Sequence, residues 1–179
     1  SGFADLCVVF ALTDKSLGTK GISAFVVPLK NEDGSRAEGV TVSDNIRRMG
    51  IRAASNCEVS YENVRVPAAN RLGKEGQGFK IAMKALDGGR IGIAAQAVGL
   101  AQGALNEAMA YVKERKQFGR PISAFQTTQF KLADMQTKID AARLLTWRAA
   151  CVKDAGENYG PAAAMAKLFA SDVANQVCR

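Results

Sequence analysis

The sequence contains no histidine and no long run of apolar residues. The lack of histidine excludes Ser–His and Cys–His nucleophilic catalysis, histidine general-base chemistry and most catalytic zinc sites from these 179 residues. No apolar run approaches the ~20 residues that a membrane-spanning helix needs. The remaining composition, 47% hydrophobic and 23% charged, is typical of a soluble globular protein. The length of 179 residues allows one large domain or two small ones.

Cysteine is sparse, and the four cysteines are far apart in the chain. They form no CxxC pair, which argues against a redox or zinc motif, and no metal site is predicted. We expect them to be small apolar core residues in a reducing compartment rather than disulfide partners. They are Cys7, Cys57, Cys151 and Cys178.

Acidic residues are outnumbered, and the formal net charge is +7. A basic balance can indicate a nucleic acid, an acidic lipid or a phosphorylated ligand as partner. No run of Lys and Arg exceeds two residues, however, and Arg47–Arg48 is a typical case. Scattered charge of this kind is typical of a solvated surface, so the sequence does not favour nucleic-acid binding.

The character of the sequence changes near residue 75. Before it, short apolar runs at 6–12 and 22–27 and alternating stretches at 39–43 and 57–66 predict strands separated by turns. The loop between the second and third of these strands contains an Asp–Gly pair, which is typical of a hairpin. The first part of the chain is therefore predicted to form a small antiparallel sheet or barrel.

After Gly78 the apolar residues recur with a helical period. The pattern predicts a long amphipathic helix that reaches about Val112, a second helix over about 127–155 and a third that opens at Pro161, a favourable residue for a first turn. The third helix is still amphipathic where the sequence stops at Arg179, as expected of a chain cut short.

The loop between the first two predicted helices has the sequence KERKQFGRPISAFQ, residues 113–126. One interpretation is a simple helix break, because glycine and proline end helices and basic residues compensate the helix dipole. The other is a ligand site, because an arginine fork beside an aromatic ring and an amide suits a pyrophosphate-linked nucleotide. No Gly-rich phosphate loop is present, so such a ligand would be bound by side chains. They would be Arg115, Phe118 and Gln126, with Lys116 and Arg120 beside them.

The stretch LDGGRIGIAA, residues 86–95, places two adjacent glycines inside a predicted helix, where each costs about 1 kcal/mol relative to alanine. They could let two helices pack closely, as Gly99, Ala101 and Gly103 are expected to do. Asp87 and Arg90 bracket them, however, and lie three apart on one helix face. Two missing side chains beside a charged pair form a groove in which an extended polar ligand can touch the backbone.

These motifs resemble the acyl-CoA dehydrogenases, especially the short-chain (butyryl-CoA) branch. The similar segments are LDGGRIGIAAQAVGLAQGAL, ERKQFGRPISAFQ, QFKLADM, AARLLTWRAA and AAMAKLFASDVA, with KGISAFVVP, RRMGIRAASNCEVSYENVRVP and LGKEGQGFKIAM upstream. They occur in the family's order and cover nearly all of the chain. The Trp-Ile-Thr flavin contact expected before Ser1 and the Gly-Gly-rich flavin segment expected after Arg179 lie outside it.

The resemblance implies a fold class and a domain division. The fold would be α+β, with an antiparallel β-barrel-like domain followed by an incomplete antiparallel four-helix bundle. Residues 1–75 would form the middle β-barrel domain, incomplete at its start, and residues 76–179 the truncated C-terminal helical domain. The family's N-terminal helical domain would be missing. Family members assemble as homotetramers, which are dimers of dimers.

The resemblance also implies an activity in fatty acid β-oxidation. Family members oxidise an acyl-CoA thioester to trans-2-enoyl-CoA. A carboxylate removes the α-proton, the β-hydrogen leaves as hydride to FAD, and electrons then pass to electron-transferring flavoprotein. The implied acyl-CoA site is Asp87, Gly88, Gly89 and Arg90, and the implied FAD contacts are Arg115, Gln126 and Phe118. The Arg115 position characteristically serves the flavin of a neighbouring subunit.

The catalytic base is not expected in this chain. In the isovaleryl-CoA and long-chain branches a glutamate immediately precedes the arginine of the glycine motif, and the matching residue here is Gly89, which has no side chain. Asp87 is disfavoured as a base because Arg90 compensates its charge. The base is therefore expected to be the glutamate of the short-chain branch, beyond Arg179.

Three other interpretations stay open. An acyl-CoA oxidase would share the fold and the flavin but use oxygen. A DNA-associated relative of the same fold would fit the positive charge, although its basic residues are dispersed. A non-enzymatic helical interaction module is the third. No membrane partner is predicted, and the expected location is the bacterial cytoplasm, or the mitochondrial matrix if the protein is eukaryotic.

Overall fold

The computed structural model describes residues 2–179, which divide into two compact units. The first ends at Met83, and the second spans Lys84–Arg179. The first is rich in strands and the second is helical, so the mixed α+β composition is confirmed. The domain boundary between residues 75 and 76 stays a prediction.

The first unit contains two small antiparallel sheets. Their strands are β1 (Leu6–Leu12), β2 (Ile22–Pro28), β3 (Val40–Val42), β4 (Val59–Tyr61) and β5 (Arg71–Leu72). β2 lies between β1 and β5, while β3 pairs with β4 alone. Four apolar residues of this unit are buried, Ala24, Val27, Leu29 and Val40, and so is the polar Ser23.

Within residues 2–179 these sheets do not close into a barrel. The barrel-like form expected for residues 1–75 is therefore not what this chain shows. Five strands of two to seven residues are too few, since small closed barrels typically use about eight strands. β1 is an edge strand, and its side chains Leu6, Val8, Phe10 and Leu12 are exposed.

The strand expected over 57–66 is much shorter in the structure, where β4 covers three residues. Asn63 adopts φ 53°, a left-handed conformation that ends an extended strand. Opposite this end, the Gly39 backbone approaches the Glu62 carbonyl so closely that a β-carbon would lie 2.1 Å from the oxygen. The strand stops because the chain turns sharply here, a feature that alternating hydrophobicity does not indicate.

Two surface aspartates organise turns of the first unit. The Asp14 carboxylate accepts hydrogen bonds from the Ser16 hydroxyl at 2.6 Å and from its backbone N–H at 2.8 Å. Asp33 accepts from Ser35 in the same way, at 2.5 and 2.9 Å. These hydrogen bonds, the hydroxyl contact foremost, lower the pKa of both carboxyl groups.

The second unit is built from three long helices, of which the first begins before the division between the units. They are α1 (Gly78–Glu114), α2 (Gln126–Asp154) and α3 (Gly160–Val177), close to the bounds predicted. α3 begins one residue earlier than predicted, with Pro161 in its first turn. The interior of this second unit consists chiefly of alanine, whose small side chain lets helices approach closely. The fully buried residues of this core are Ala94, Ala101, Ile139, Ala142, Ala149, Ala166 and Ala170.

The prediction that the cysteines are core residues is wrong. Cys7 and Cys57 are half-buried, and Cys151 and Cys178 are exposed. Cys151 lies two residues after the buried Ala149, which turns it toward the outer side of α2. None of the four cysteines, all of which the structure describes, is in a disulfide.

Candidate functional site

Asp87 and Arg90 form an ion pair along one face of α1, as their spacing of three residues predicts. Both side chains are partly exposed, 31% for Asp87 and 43% for Arg90. The Arg90 guanidinium therefore keeps N–H donors free for a ligand, while the Asp87 carboxylate restrains the arginine side chain.

The start of α3 packs against the same turn of α1. Asp87 Oδ2 lies 3.5 Å from the position that a β-carbon on Gly160 would take. One residue earlier, the Tyr159 hydroxyl donates a long hydrogen bond of 3.5 Å to the Lys84 carbonyl. The negative Asp87 carboxylate thus lies at a helix N-terminus, where the helix dipole favours it.

The two glycines between this pair have different surroundings. A β-carbon on Gly88 would lie 3.9 Å from Tyr159 Oη and 4.0 Å from Lys153 Nζ, which is ordinary contact. A β-carbon on Gly89 would meet nothing within 4 Å. Neither glycine has a positive φ, so the backbone conformation does not require glycine at either position. The packing of the helices in this chain does not require it either, because a β-carbon would meet no clash. A ligand that passes along the open face would explain them.

The expectation that Gly99 and Gly103 allow close helix packing is not met in this chain. A β-carbon on either residue would have no neighbour within 4 Å. Both line an open groove of about 500 Å³ between α1 and α2, which Trp147 also lines. Ala101, which was expected to act with them, is fully buried.

The segment between α1 and α2 forms a hairpin that sequence reasoning did not predict. Strand β6 (Lys116–Gln117) pairs with β7 (Arg120–Pro121) across a two-residue turn. A glycine at the second turn position is the signal that could have indicated it. Strands of two residues are too short to show an alternating pattern, so the sequence alone indicates a helix break or a ligand loop at Gly119 and Pro121 and no hairpin.

The hairpin turn places an aromatic ring in solvent. Phe118 has φ 51° and Gly119 φ 77°, so both turn residues are left-handed, as a type I′ turn requires. The left-handed region costs a non-glycine residue about 1–2 kcal/mol, and asparagine or aspartate is preferred at the first position. The Phe118 side chain is 92% exposed, so burial in this chain does not offset that cost. Strain of this kind often accompanies a functional role.

Arg115 and Gln126 lie on either side of the hairpin. Arg115 follows the last residue of α1, and Gln126 is the first residue of α2. The Arg115 carbonyl accepts a hydrogen bond of 2.8 Å from the Ile122 N–H, which closes the base of the loop. Both side chains are exposed, and within residues 2–179 neither makes a side-chain hydrogen bond or ion pair. A guanidinium, an amide and an exposed ring are thus available to a nucleotide with linked phosphates.

The two groups of candidate residues lie far apart. Arg90 and Arg115 are separated by about two-thirds of α1, about 35 Å along a continuous helix. The glycine motif and the hairpin therefore cannot surround the same reacting atoms within one chain. The structure pairs Asp87 with Arg90. Arg115, Phe118 and Gln126 lie within or beside the loop between α1 and α2, and within residues 2–179 no contact joins their side chains to the pair.

Two structural features are absent from residues 2–179. No group of three or more His, Cys, Asp or Glu side chains there is arranged to hold a metal ion. No helix in the same range is long and apolar enough to cross a membrane.

Comparisons with known proteins point to one family. Residues 76–179 match the family model described as acyl-CoA dehydrogenase, C-terminal domain. The short-chain specific acyl-CoA dehydrogenase of Clostridium acetobutylicum is 52% identical over 176 residues, which cover 98% of this chain and 45% of the relative. Subunit CarC of the caffeyl-CoA reductase-Etf complex of Acetobacterium woodii is 48% identical over 178 residues, with 98% and 45% coverage.

A solved structure gives the same result. Butyryl-CoA dehydrogenase from Megasphaera elsdenii superimposes with a TM-score of 0.93 at 50% sequence identity. The match covers 99% of this chain and 45% of that one. The chain thus spans a little under half the length of the relatives that it matches. The family model covers more than half of the chain, and the chain therefore belongs to the acyl-CoA dehydrogenase family.

Proposed function

We propose that this chain forms the substrate-binding helix and a cofactor-binding hairpin of an FAD-dependent acyl-CoA dehydrogenase. The substrate would be a short-chain or short-branched acyl-CoA, and the product the trans-2-enoyl-CoA. The observation that carries the proposal is the Gly88–Gly89 pair beside the Asp87–Arg90 ion pair, because the fold of this chain requires neither glycine. The printed names of the relatives, short-chain specific and butyryl-CoA, support the substrate class.

On the substrate side, each residue of the motif has a distinct role. The open face at Gly89 lets an extended thioester chain approach the helix backbone. Arg90 offers guanidinium donors to the polar CoA portion, where charge-assisted hydrogen bonds are strong. Asp87 orients Arg90 through their ion pair. The motif therefore binds and orients the substrate without supplying a reacting group.

FAD fits the residues of the hairpin. Arg115 would hold its phosphates, Gln126 would donate or accept through its amide, and the exposed Phe118 ring would pack against a planar part of the nucleotide. When bound, FAD supplies the acceptor for the hydride that leaves the β-carbon. The chain's own contribution at this end is binding and orientation.

The base that removes the α-proton is proposed to be a glutamate beyond Arg179. The reaction needs a carboxylate within hydrogen-bond reach of that proton. Gly89, at the position of the base in other branches, has no side chain. Asp87 is already paired with Arg90, and its other carboxylate oxygen lies against the start of α3.

The proposed assembly is a homotetramer in which Arg115 serves the flavin of a neighbouring subunit. The separation of about 35 Å between the two sites along α1 supports this, since substrate and flavin must meet. Large apolar side chains exposed on the helices support association as well. They include Leu100, Tyr111, Phe130, Leu144, Trp147 and Leu168. In such an assembly the sheets would form part of a β-barrel and the helices part of a four-helix bundle.

Electron-transferring flavoprotein is the proposed partner that removes the electrons. The name of the Acetobacterium relative, a subunit of a complex with Etf, supports this choice. A location in the bacterial cytoplasm stays a prediction, with the mitochondrial matrix as the alternative.

The proposal is tested by comparing two preparations. One is residues 1–179 alone, supplied with FAD, and the other is a family-length protein that carries this segment. Both are assayed on butyryl-CoA with an artificial electron acceptor and, separately, with oxygen and a peroxide detector. We expect turnover by the family-length protein with the artificial acceptor and none by the isolated chain. Peroxide as the main product would indicate an oxidase, and turnover by the isolated chain would place the base within it.

A further inference from the structure

A cation–π contact connects the hairpin to the start of α2. The guanidinium carbon of Arg120 lies 4.2 Å from the centre of the Phe125 ring. Arg120 directly follows the hairpin turn, and Phe125 directly precedes α2. Within residues 2–179 Arg120 has no carboxylate partner, so the Phe125 ring is the contact that restrains it.

The same ring also contacts Phe118. The rings of Phe118 and Phe125 meet edge to face, with their centres 6.3 Å apart and their planes at 80°. This T-shaped geometry is favourable for two aromatic rings. Arg120, Phe125 and Phe118 thus form a row, called here the Arg120 stack, with Phe125 in the middle.

The backbone of the loop is held by other contacts. The Phe125 N–H donates to the Ile122 carbonyl at 3.2 Å, and the Ile122 N–H donates to the Arg115 carbonyl at 2.8 Å. These hydrogen bonds define the path of the chain but do not restrain the ring of Phe118, which is 92% exposed. The edge-to-face contact with Phe125, by contrast, is made by the Phe118 ring itself.

We propose that Arg120 is a positioning residue for nucleotide binding and acts through Phe125. By stacking on Phe125, Arg120 holds the Phe118 ring in a fixed position relative to Gln126 before the ligand binds. Gln126 is the residue that follows Phe125 in the chain. Preorganised side chains lose less freedom on binding, which strengthens affinity without a new contact. The inference rests on the proposed function, because it takes FAD as the ligand, and it assigns Arg120 no contact with FAD itself.

The test is a double-mutant cycle on FAD affinity in the family-length protein. The apoprotein is titrated with FAD and flavin fluorescence gives the dissociation constant, while melting temperature monitors the fold. Arg120→Ala and Phe125→Leu should each weaken FAD binding about 2–5-fold, the range of an exposed cation–π contact. The double variant should bind FAD no more weakly than either single variant, because each single substitution already breaks the stack. Arg120→Lys, which retains a cation, should restore most of the affinity. Lys131→Ala, which removes an exposed cation of α2 outside the loop, should have no effect.

A second background guards against a Phe125 variant that fails to fold. Phe118→Leu changes an exposed turn residue, and in that background Arg120→Ala should have no further effect. If Arg120→Ala weakens FAD binding by the same factor in the parent and in the Phe125→Leu and Phe118→Leu backgrounds, the positioning role is wrong. It is also wrong if Arg120→Ala has no effect on FAD binding in the parent. A parent protein that binds no FAD contradicts the proposed function. If Arg115→Ala loses FAD but the effects of Arg120→Ala and Phe125→Leu on FAD affinity are purely additive, this inference is contradicted and the proposed function is not.

Discussion

The Asp87 carboxylate lies 3.5 Å from where a β-carbon on Gly160 would be, at the first residue of α3. The contact joins residues of two helices that are more than seventy positions apart in the chain, and it places a carboxylate at a helix N-terminus. The same carboxylate pairs with Arg90. Asp87 is thus held from two sides, and its main effect on a ligand is to orient the arginine.

Replacing Asp87 with asparagine should therefore impair substrate binding more than the chemical step. The neutral amide loses the ion pair and the favourable interaction with the helix dipole, each worth about 0.3–1 kcal/mol at a partly exposed site. We expect a raised KM for butyryl-CoA with kcat changed much less. Asp134→Asn is the matched control, because Asp134 pairs with Lys138 on the surface of α2, away from the motif. A large fall in kcat with KM unchanged would indicate that Asp87 acts in catalysis.

Alanine substitutions at Gly88 and Gly89 should separate fold from ligand binding. Each change should stabilise the protein by up to about 1 kcal/mol, because alanine favours a helix and neither methyl group meets a clash. Gly89→Ala should raise the KM for butyryl-CoA more than Gly88→Ala, since only the face at Gly89 is open within this chain. Urea unfolding and steady-state kinetics measure the two effects. Equal KM values for both variants and the parent would contradict the proposed path of the ligand.

Arg115→Ala should weaken FAD retention more than any other single charge change in the loop. A charge-assisted contact between arginine and phosphate is worth about 1.5–3 kcal/mol, whereas an exposed loop charge is worth about 0–1 kcal/mol. Arg120→Ala should have a smaller effect and Lys116→Ala almost none. Flavin occupancy after gel filtration is the measurement. Equal occupancy in the Arg115 and Lys116 variants would argue against a cofactor role for Arg115.

Phe118→Asn should stabilise the hairpin and weaken the cofactor site at the same time. Asparagine is favoured at the first position of a type I′ turn, where Phe118 now adopts φ 51°. The variant should melt at an equal or higher temperature when free of FAD, yet bind FAD more weakly because the exposed ring is gone. Unchanged FAD affinity would mean that the ring has another role.

The family-length protein should be an obligate oligomer. The groove lined by Gly99, Gly103 and Trp147 and the apolar side chains on the three helices are large areas that association would cover. Sedimentation at micromolar concentration should give a tetramer. A monomer that still binds FAD would contradict the neighbouring-subunit role of Arg115.

The helices were predictable from the sequence because their apolar periodicity runs over many turns. The Asp87–Arg90 pair followed from local spacing, which a helix converts directly into proximity. The contact between Asp87 and Gly160 is tertiary and has no local signal. The hairpin at Phe118 was missed because its strands are two residues long and its turn residue is an unfavourable one.

The most direct test of the account uses the flavin absorbance of the family-length protein. The purified protein is made anaerobic and mixed with butyryl-CoA in the absence of any acceptor. An acyl-CoA dehydrogenase transfers a hydride from the substrate, so the yellow absorbance of the bound flavin should bleach and trans-2-enoyl-CoA should form in proportion. A colourless protein, or a yellow protein that butyryl-CoA and branched short-chain acyl-CoA thioesters leave unbleached, would contradict the account.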